Sequence, residues 1–268
     1  MKLRNKIFVA LLLILQIGCE NIEVIQSDIP FEEVNVINGR LVGNTNNFEI
    51  SFTKSFAIES DLTRQDVILD DVTAYILTED QGVFVLNHTG NGKYSPIDTV
   101  DIRPGSIYEL YAKIGTSRIS AVTLVPPEPR IFDASIQGNY VTCNITPDTG
   151  SIYGCKYMIS SLNNLELSIN EADFYELSDT YDESGGSINV RTNILPDFYF
   201  NSPDNYAVYL KVYAFDEAYK SYYDTRQNNK PIENIFSEGG GSVYWNVNGD
   251  KTIGMFIGYT YITLSNIK

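Results

Sequence analysis

Histidine occurs once in 268 residues, at His88, tryptophan once, at Trp245, and cysteine three times. So small a supply of imidazole and thiol leaves little from which to build a zinc site, a Cys/His dyad or a Ser/His/Asp triad. His88 falls in Asn87-His88-Thr89 at the end of an expected strand, the place of an exposed turn residue rather than a general base. Positive charge is scarce as well: 19 Lys and Arg stand against 34 Asp and Glu, a formal net charge of −15. A phosphate backbone would be repelled, which excludes nucleic acid as a main partner. With that many acids a pair could in principle hydrolyse a glycoside, yet no local spacing singles one out. No catalytic residue, cofactor or metal site is therefore assigned.

Long apolar runs are also missing, with one exception. Lys2, Arg4 and Lys6 precede an eleven-residue apolar stretch, Ile7 to Ile17, followed by Gly18 and Cys19. About 20 such residues are needed to span a bilayer, so this segment reads as a secretion signal over residues 1–18. A small residue before Cys at the end of an apolar run resembles the bacterial lipobox, in which the cysteine is acylated and becomes the mature N-terminus. Gln16 departs from that pattern. Removing residues 1–18 deletes three positive charges and takes the net charge from −15 to −18. Acyl chains on Cys19 would hold the protein in the outer membrane without a spanning helix. Glu20 and Glu23 just behind Cys19 resemble a surface-export signal, which places the chain on the outer face.

What is abundant is material for strands. Apolar residues make up 43% and charged residues 20%, enough to bury a core. The expected fold class is mainly β: a tether over 19–33, an Ig-like or carboxypeptidase-regulatory-like β-sandwich over 34–125, a Pro-rich linker over 126–130, and a second β-rich domain with one short helix over 131–268. Strands are expected at 34–42, 47–54, 72–78, 83–88, 106–114 and 118–125, punctuated by turns such as Asp80-Gln81-Gly82, Gly90-Asn91-Gly92 and Pro104-Gly105. In the fifth, Tyr108, Leu110, Ala112 and Ile114 share one face and Glu109 and Lys113 the other. Pro126, Pro127 and Pro129 end the pattern.

Past the linker, 139–145 and 152–160 read as a hairpin centred on Thr149, which sets Val141 opposite Tyr157, Cys143 opposite Cys155 and Ile145 opposite Tyr153. Cys143 and Cys155 are then either a cross-strand disulfide or two buried thiols. Residues 161–187 hold seven acids and no Lys or Arg. Clustered carboxylates suit calcium, but Asp179, Asp182 and Glu183 do not match an EF-hand, and a solvated loop is expected. Eleven of the 19 tyrosines fall between Tyr153 and Tyr223. Residues 207–213 form a strand leading into a helix over 216–227, with Asp216 as its N-cap and Phe215, Tyr219, Tyr222 and Tyr223 as a stripe for core packing. Asn248-Gly249 marks a tight turn between 242–247 and 253–263, after Gly239, Gly240 and Gly241. Trp245 and Tyr244, with the tyrosine-rich segment, are the candidate aromatic binding surface.

The lipobox cysteine, Asn38-Gly39 in an early strand, Pro104-Gly105 followed by Tyr108 and Leu110, the Pro-rich exit, and the ending from Asn234 to Tyr259 together resemble one group: the Bacteroidota lipoproteins of domain of unknown function 4249 (DUF4249). That resemblance carries no catalytic residues. It implies a surface lipoprotein accompanying an outer-membrane β-barrel, a TonB-dependent transporter, as an accessory subunit. Two other roles are compatible with the residues: a surface module for glycan or peptide, and a structural subunit of an outer-membrane assembly. Docking on a partner would call for an apolar, aromatic patch on the second domain.

Overall fold

Alternating apolar residues build strands here in nearly every place where turn residues frame them. The structure, a computed structural model, describes residues 31–56, 64–163, 168–171, 173–179, 186–227 and 243–268. Cys19, most of the tether and Gly239–Gly241 lie outside these residues. The fold is mainly β, a β-sandwich with little helix. The first seven strands are β1 (Asn35–Val42), β2 (Ile50–Lys54), β3 (Thr73–Thr78), β4 (Gly82–Gly90), β5 (Lys93–Pro96), β6 (Ile107–Ile114) and β7 (Ser117–Leu124). In β6 the inward side chains Tyr108 and Leu110 are fully buried and Ala112 nearly so, as their period of two requires.

After the Pro-rich segment come β8 (Arg130–Gln137), β9 (Tyr140–Thr146), β10 (Ser151–Ser161), β11 (Ser168–Asn170), β12 (Ile188–Arg191), a short helix α1 (Asp197–Asn201), β13 (Tyr206–Asp216), helix α2 (Ala218–Gln227), β14 (Val247–Gly249) and β15 (Thr252–Leu264). A twelve-stranded sheet runs in the order β11-β10-β13-β15-β1-β2-β5-β4-β3-β6-β7-β14, and β12-β9-β8 form a separate sheet. One hydrophobic cluster lies among the first seven strands and includes Phe52, Tyr94 and Tyr108. A second lies between the three-stranded sheet and β10-β13, and includes Val141, Ile145, Tyr153 and Leu210.

Strand β15 serves both clusters. Over thirteen residues it first runs parallel to β1, from Asn35 opposite Thr252 to Val42 opposite Tyr259, and then antiparallel to β13 up to Leu264 opposite Leu210. Phe256 belongs to the first cluster, while Ile262 and Leu264 pack on the second. Val247 in β14 also enters the first cluster, and β14 pairs with β7. The last segment of the chain thus completes the sandwich begun by the first, and residues 33–268 form one compact unit.

A buried carboxylate ties the halves further. Asp216 Oδ2 accepts hydrogen bonds from Thr123 Oγ1 at 2.8 Å and Leu124 N at 2.6 Å, and its Oδ1 accepts Ala218 N at 2.8 Å at the start of α2. Thr123 Oγ1 in turn accepts Gly258 N at 2.7 Å. One side chain from β13 therefore holds β7 and caps α2, while its threonine partner holds β15.

The hairpin expected from 139–160 does not form. Strand β9 pairs with β12, Cys143 opposite Val190, and with β8, Ile145 opposite Ile131. Strand β10 pairs with β13, Cys155 opposite Val212. The reason lies in burial: Ser151 to Cys155 are buried on both faces of β10, Tyr153 and Cys155 toward the second cluster and Ile152 toward a third. A strand buried on both faces needs to be central in a sheet. The 147–150 connection accordingly crosses from one sheet to the other instead of turning back.

Cys143 and Cys155 are both free, buried thiols in the second core. Burial pushes Cys143 up to about 12 and raises Cys155 well above the ordinary thiol range. With the thiolate disfavoured at both positions and both sulfurs buried, neither should react with a disulfide reagent in the native state. Both are expected to label after unfolding in guanidinium; rapid labelling of the folded protein would show that this core opens.

A candidate aromatic and cationic cleft

Side chains on the outward face of β1, β13 and β15 cannot join either sandwich core, and they meet helix α2 and the 173–178 segment instead. A third hydrophobic cluster fills this space, with Ile152, Phe174, Leu177, Phe215 and Tyr223 buried and Tyr213, Tyr219 and Tyr259 packed against them. Tyr223 donates its hydroxyl to the Phe174 carbonyl at 2.8 Å, fixing α2 to that segment. Gly154 makes room for it, since a Cβ there would lie 2.6 Å from Leu177 Cδ2 and 2.8 Å from Phe174 Cδ1.

The acid-rich segment is therefore only partly a solvated loop. Its apolar residues Phe174 and Leu177 are buried, and Glu171 anchors its start by accepting Tyr157 N and Asn193 N, each at 2.8 Å. Loss of water raises the Glu171 carboxyl above its ordinary value, and these two backbone donors oppose that rise. Among the described residues, no group of three or more His, Cys, Asp or Glu side chains could hold a metal ion.

Above the third cluster lies an open cleft of about 450 Å³. Asn38 and Arg40 enter it from β1, Lys156 from β10, Tyr213 and Phe215 from β13, Tyr219, Tyr222 and Arg226 from α2, and Tyr259 from β15. The helical three come from one face because they are spaced three and four residues apart. Trp245 reaches in from the stretch before β14. Its neighbour Asn246 secures that stretch, donating Nδ2 to the Phe256 carbonyl at 2.7 Å and accepting Phe256 N at 2.8 Å. A side-chain amide here takes the place of a backbone ladder.

The rings are ordered against one another. Phe215 and Tyr219 stack with centroids 4.3 Å apart, Tyr213 and Phe215 at 5.6 Å, and Trp245 tilts over Tyr222 at 5.5 Å. Cations sit over several of them: Lys156 Nζ is 4.2 Å from the Phe174 centroid, and Arg226 is 5.3 Å from that of Tyr223. Burial raises Tyr213 to about 12 and pushes Tyr219 and Tyr259 in the same direction, so these phenols keep their protons and can donate hydrogen bonds. Burial lowers Lys156 from its ordinary value, against the pull of Asp173 and Glu171.

The structure separates the two residues expected to share a binding surface. Trp245 lines the cleft, whereas Tyr244 is exposed and borders a different depression with Glu217, Lys220 and Asn248. Tyr219 and Tyr222, expected to pack in the core, form walls of the cleft, while Tyr223 of the same stripe is buried. Arg40, Lys156 and Arg226 were not distinguishable as site residues in the sequence, because they come from three distant segments. His88 accepts Gly92 N at 3.3 Å through Nε2 and braces the turn that follows β4.

A second surface feature lies on the outward face of β4-β3-β6-β7. Val83, Val85, Ile107 and Val122 are each more than half exposed there, beside Tyr75 and Tyr111, whose rings stack at 5.3 Å. This apolar patch is on the first half of the chain, whereas docking was expected to use the second. No helix of the described residues is long and apolar enough to cross a membrane.

No family model matches the chain, and no curated protein does. Among solved structures it is similar to the FN1–FN3 domains of chicken CNTN1, at 10% identity over 67% of this chain and 59% of that one, with a TM-score of 0.27. It is also similar to a DUF3823 family protein from Parabacteroides merdae, at 13% identity over 68% and 90% of the two chains, TM-score 0.17. A two-domain fibronectin type III segment of chicken tenascin gives 10% identity over 68% and 91%, TM-score 0.20. The chain spans less than two thirds of the CNTN1 fragment, 59% of its length.

Proposed function

We propose that the protein is a lipid-anchored, non-catalytic binding subunit of the outer-membrane surface, whose aromatic and cationic cleft captures a ligand for an accompanying β-barrel transporter. The observation that carries the binding role is the cleft itself. Ordered rings, protonated phenols and an amide converge on one open concavity, the mix of flat apolar surface and a few polar groups by which ligands are held in place. The lipid anchor rests on Cys19 and its preceding signal, and the transporter on the DUF4249 resemblance. The exposed face around Val83, Val85, Tyr75 and Val122 favours a further role as a docking surface for that barrel, since patches of this kind on a folded domain mark interaction sites.

Trp245 is the only tryptophan, so its fluorescence reports on the cleft alone. Titration of the mature chain with an oligosaccharide panel is expected to change that emission. Trp245→Ala should weaken binding about tenfold or more, measured by calorimetry, because base-sized rings contribute on the order of 1–3 kcal/mol when stacked. A panel that leaves the emission unmoved, with no calorimetric heat for the native protein, sinks the binding role. Affinity purification from membranes that never returns a β-barrel sinks the transporter partnership separately.

A further inference from the structure

The charge of the cleft is opposite to that of the molecule. In a chain with 34 acidic and 19 basic residues, the described residues that line the cleft include Arg40, Lys156 and Arg226 and no carboxylate. Such an island of positive charge in an acidic surface focuses anions toward one place. The cations differ in how far they are already engaged. Arg226 lies 3.6 Å from Asp173, a carboxylate 72% exposed and therefore well screened by water. Lys156 stands over Phe174 and feels the charges of Asp173 and Glu171. Arg40 projects from the exposed side of β1, and no ion pair involves it among the described residues.

Arg40 presents a planar guanidinium to a cleft lined with aromatic rings, a combination suited to a carboxylate carried on a ring that has an apolar face. A pyranose ring offers apolar C–H faces to Trp245 and Tyr222 and hydroxyls to Asn38 and the phenols. A purely apolar acid would leave those polar groups unpaired. A peptide of acidic residues alone would satisfy the cations but would bring no ring to lie on the indole. The volume of about 450 Å³ suits a short oligosaccharide rather than a single small ion.

We propose that the cleft binds a uronate oligosaccharide, a sugar chain bearing carboxylates, with Arg40 gripping a carboxylate and the Trp245–Tyr222 pair stacking on a ring. This rests on the reading of the cleft as the ligand site and specifies its chemistry. The site so defined selects by charge as well as by shape.

The test uses the mature chain, Trp245 emission and calorimetry with uronate tetrasaccharides of galacturonic, glucuronic and mannuronic acid, their fully methyl-esterified forms, which keep the rings but remove the charge, and tetraglutamate and inorganic phosphate as anions without a sugar. At least one acidic tetrasaccharide is expected to bind, with affinity falling as salt rises. If galacturonate is the binder its ester should bind at least tenfold more weakly; for another uronate the comparison is with its own methyl ester. Arg40→Gln, a change at an exposed position, should weaken the acidic sugar about tenfold and the ester by much less, since the ester keeps an acceptor but no charge. Equal binding of acid and ester would overturn the inference while leaving a saccharide-binding cleft. Tetraglutamate or inorganic phosphate binding as tightly as the sugars would overturn it in favour of a general anion site. If no saccharide binds, acidic or neutral, both this inference and the binding role fall.

Discussion

Gly258→Ala is expected to leave little or no folded protein, and any that folds should have lost at least about 3 kcal/mol of stability. Gly258 lies in β15 opposite Leu41 of β1, and a Cβ there would come within 2.3 Å of the Leu124 carbonyl oxygen and 2.8 Å of its carbon. Those are backbone atoms of β7, which cannot rotate aside as a side-chain end could. The chain approaches this closely because the Gly258 amide must reach Thr123 Oγ1, and only the smallest residue lets it. Gly186→Ala, at a glycine with open space around it, serves as the control and should be neutral. Soluble yield and guanidinium unfolding followed by circular dichroism decide the matter; a Gly258→Ala protein as stable as the control would show that β7 and β15 do not meet in this way.

The second large effect is expected at Asp216. Asp216→Ala removes the acceptor for Thr123, Leu124 and Ala218 at once and strands buried donors, a loss of about 4 kcal/mol when bonds to a charged group are counted without assuming additivity. Asp216→Asn keeps one oxygen and should fall between the two. Because α2 begins at this carboxylate and supplies Tyr219, Tyr222 and Arg226 to the cleft, ligand binding should weaken in both variants. Denaturant midpoints that stay within about 0.5 kcal/mol of the native value would remove Asp216 from this role.

Much of the fold is legible in the residues because strands are local. Alternation within 106–114, turns such as Asp80-Gln81-Gly82 and the helix after Phe215 depend only on near neighbours, and each element falls within a few residues of its expected place. Which strands pair is decided elsewhere. Val36 meets Ile253 in parallel across more than 200 positions, and nothing in either segment names its partner. The 139–160 region shows the same limit: alternation in both strands is satisfied equally by a hairpin or by two strands facing each other across a core. Only the burial of both faces of Ser151–Cys155 separates the two, and that depends on α2 and Phe174 covering one side.

The cleft is less legible in the residues for a similar reason. Trp245 was conspicuous because it is unique, and it does line the site. Tyr219 and Tyr222 carry a helical spacing that fits a core stripe equally well, and Tyr223 is indeed buried. Arg40 has no local signature at all, since an outward-facing arginine on a strand is ordinary. A cation becomes informative only when the fold sets it beside rings from four other segments.

The position of β1 has a mechanical consequence. It is the first strand among the described residues and lies between β15, which runs alongside it in parallel, and β2, which runs antiparallel. If Cys19 is anchored as proposed, tension directed along β1 would load the bonds to both neighbours together in shear rather than peeling them apart one at a time. A protein leashed at that end would resist drag through a strand whose Ile37 and Leu41 are buried in the first core and whose parallel neighbour β15 reaches both.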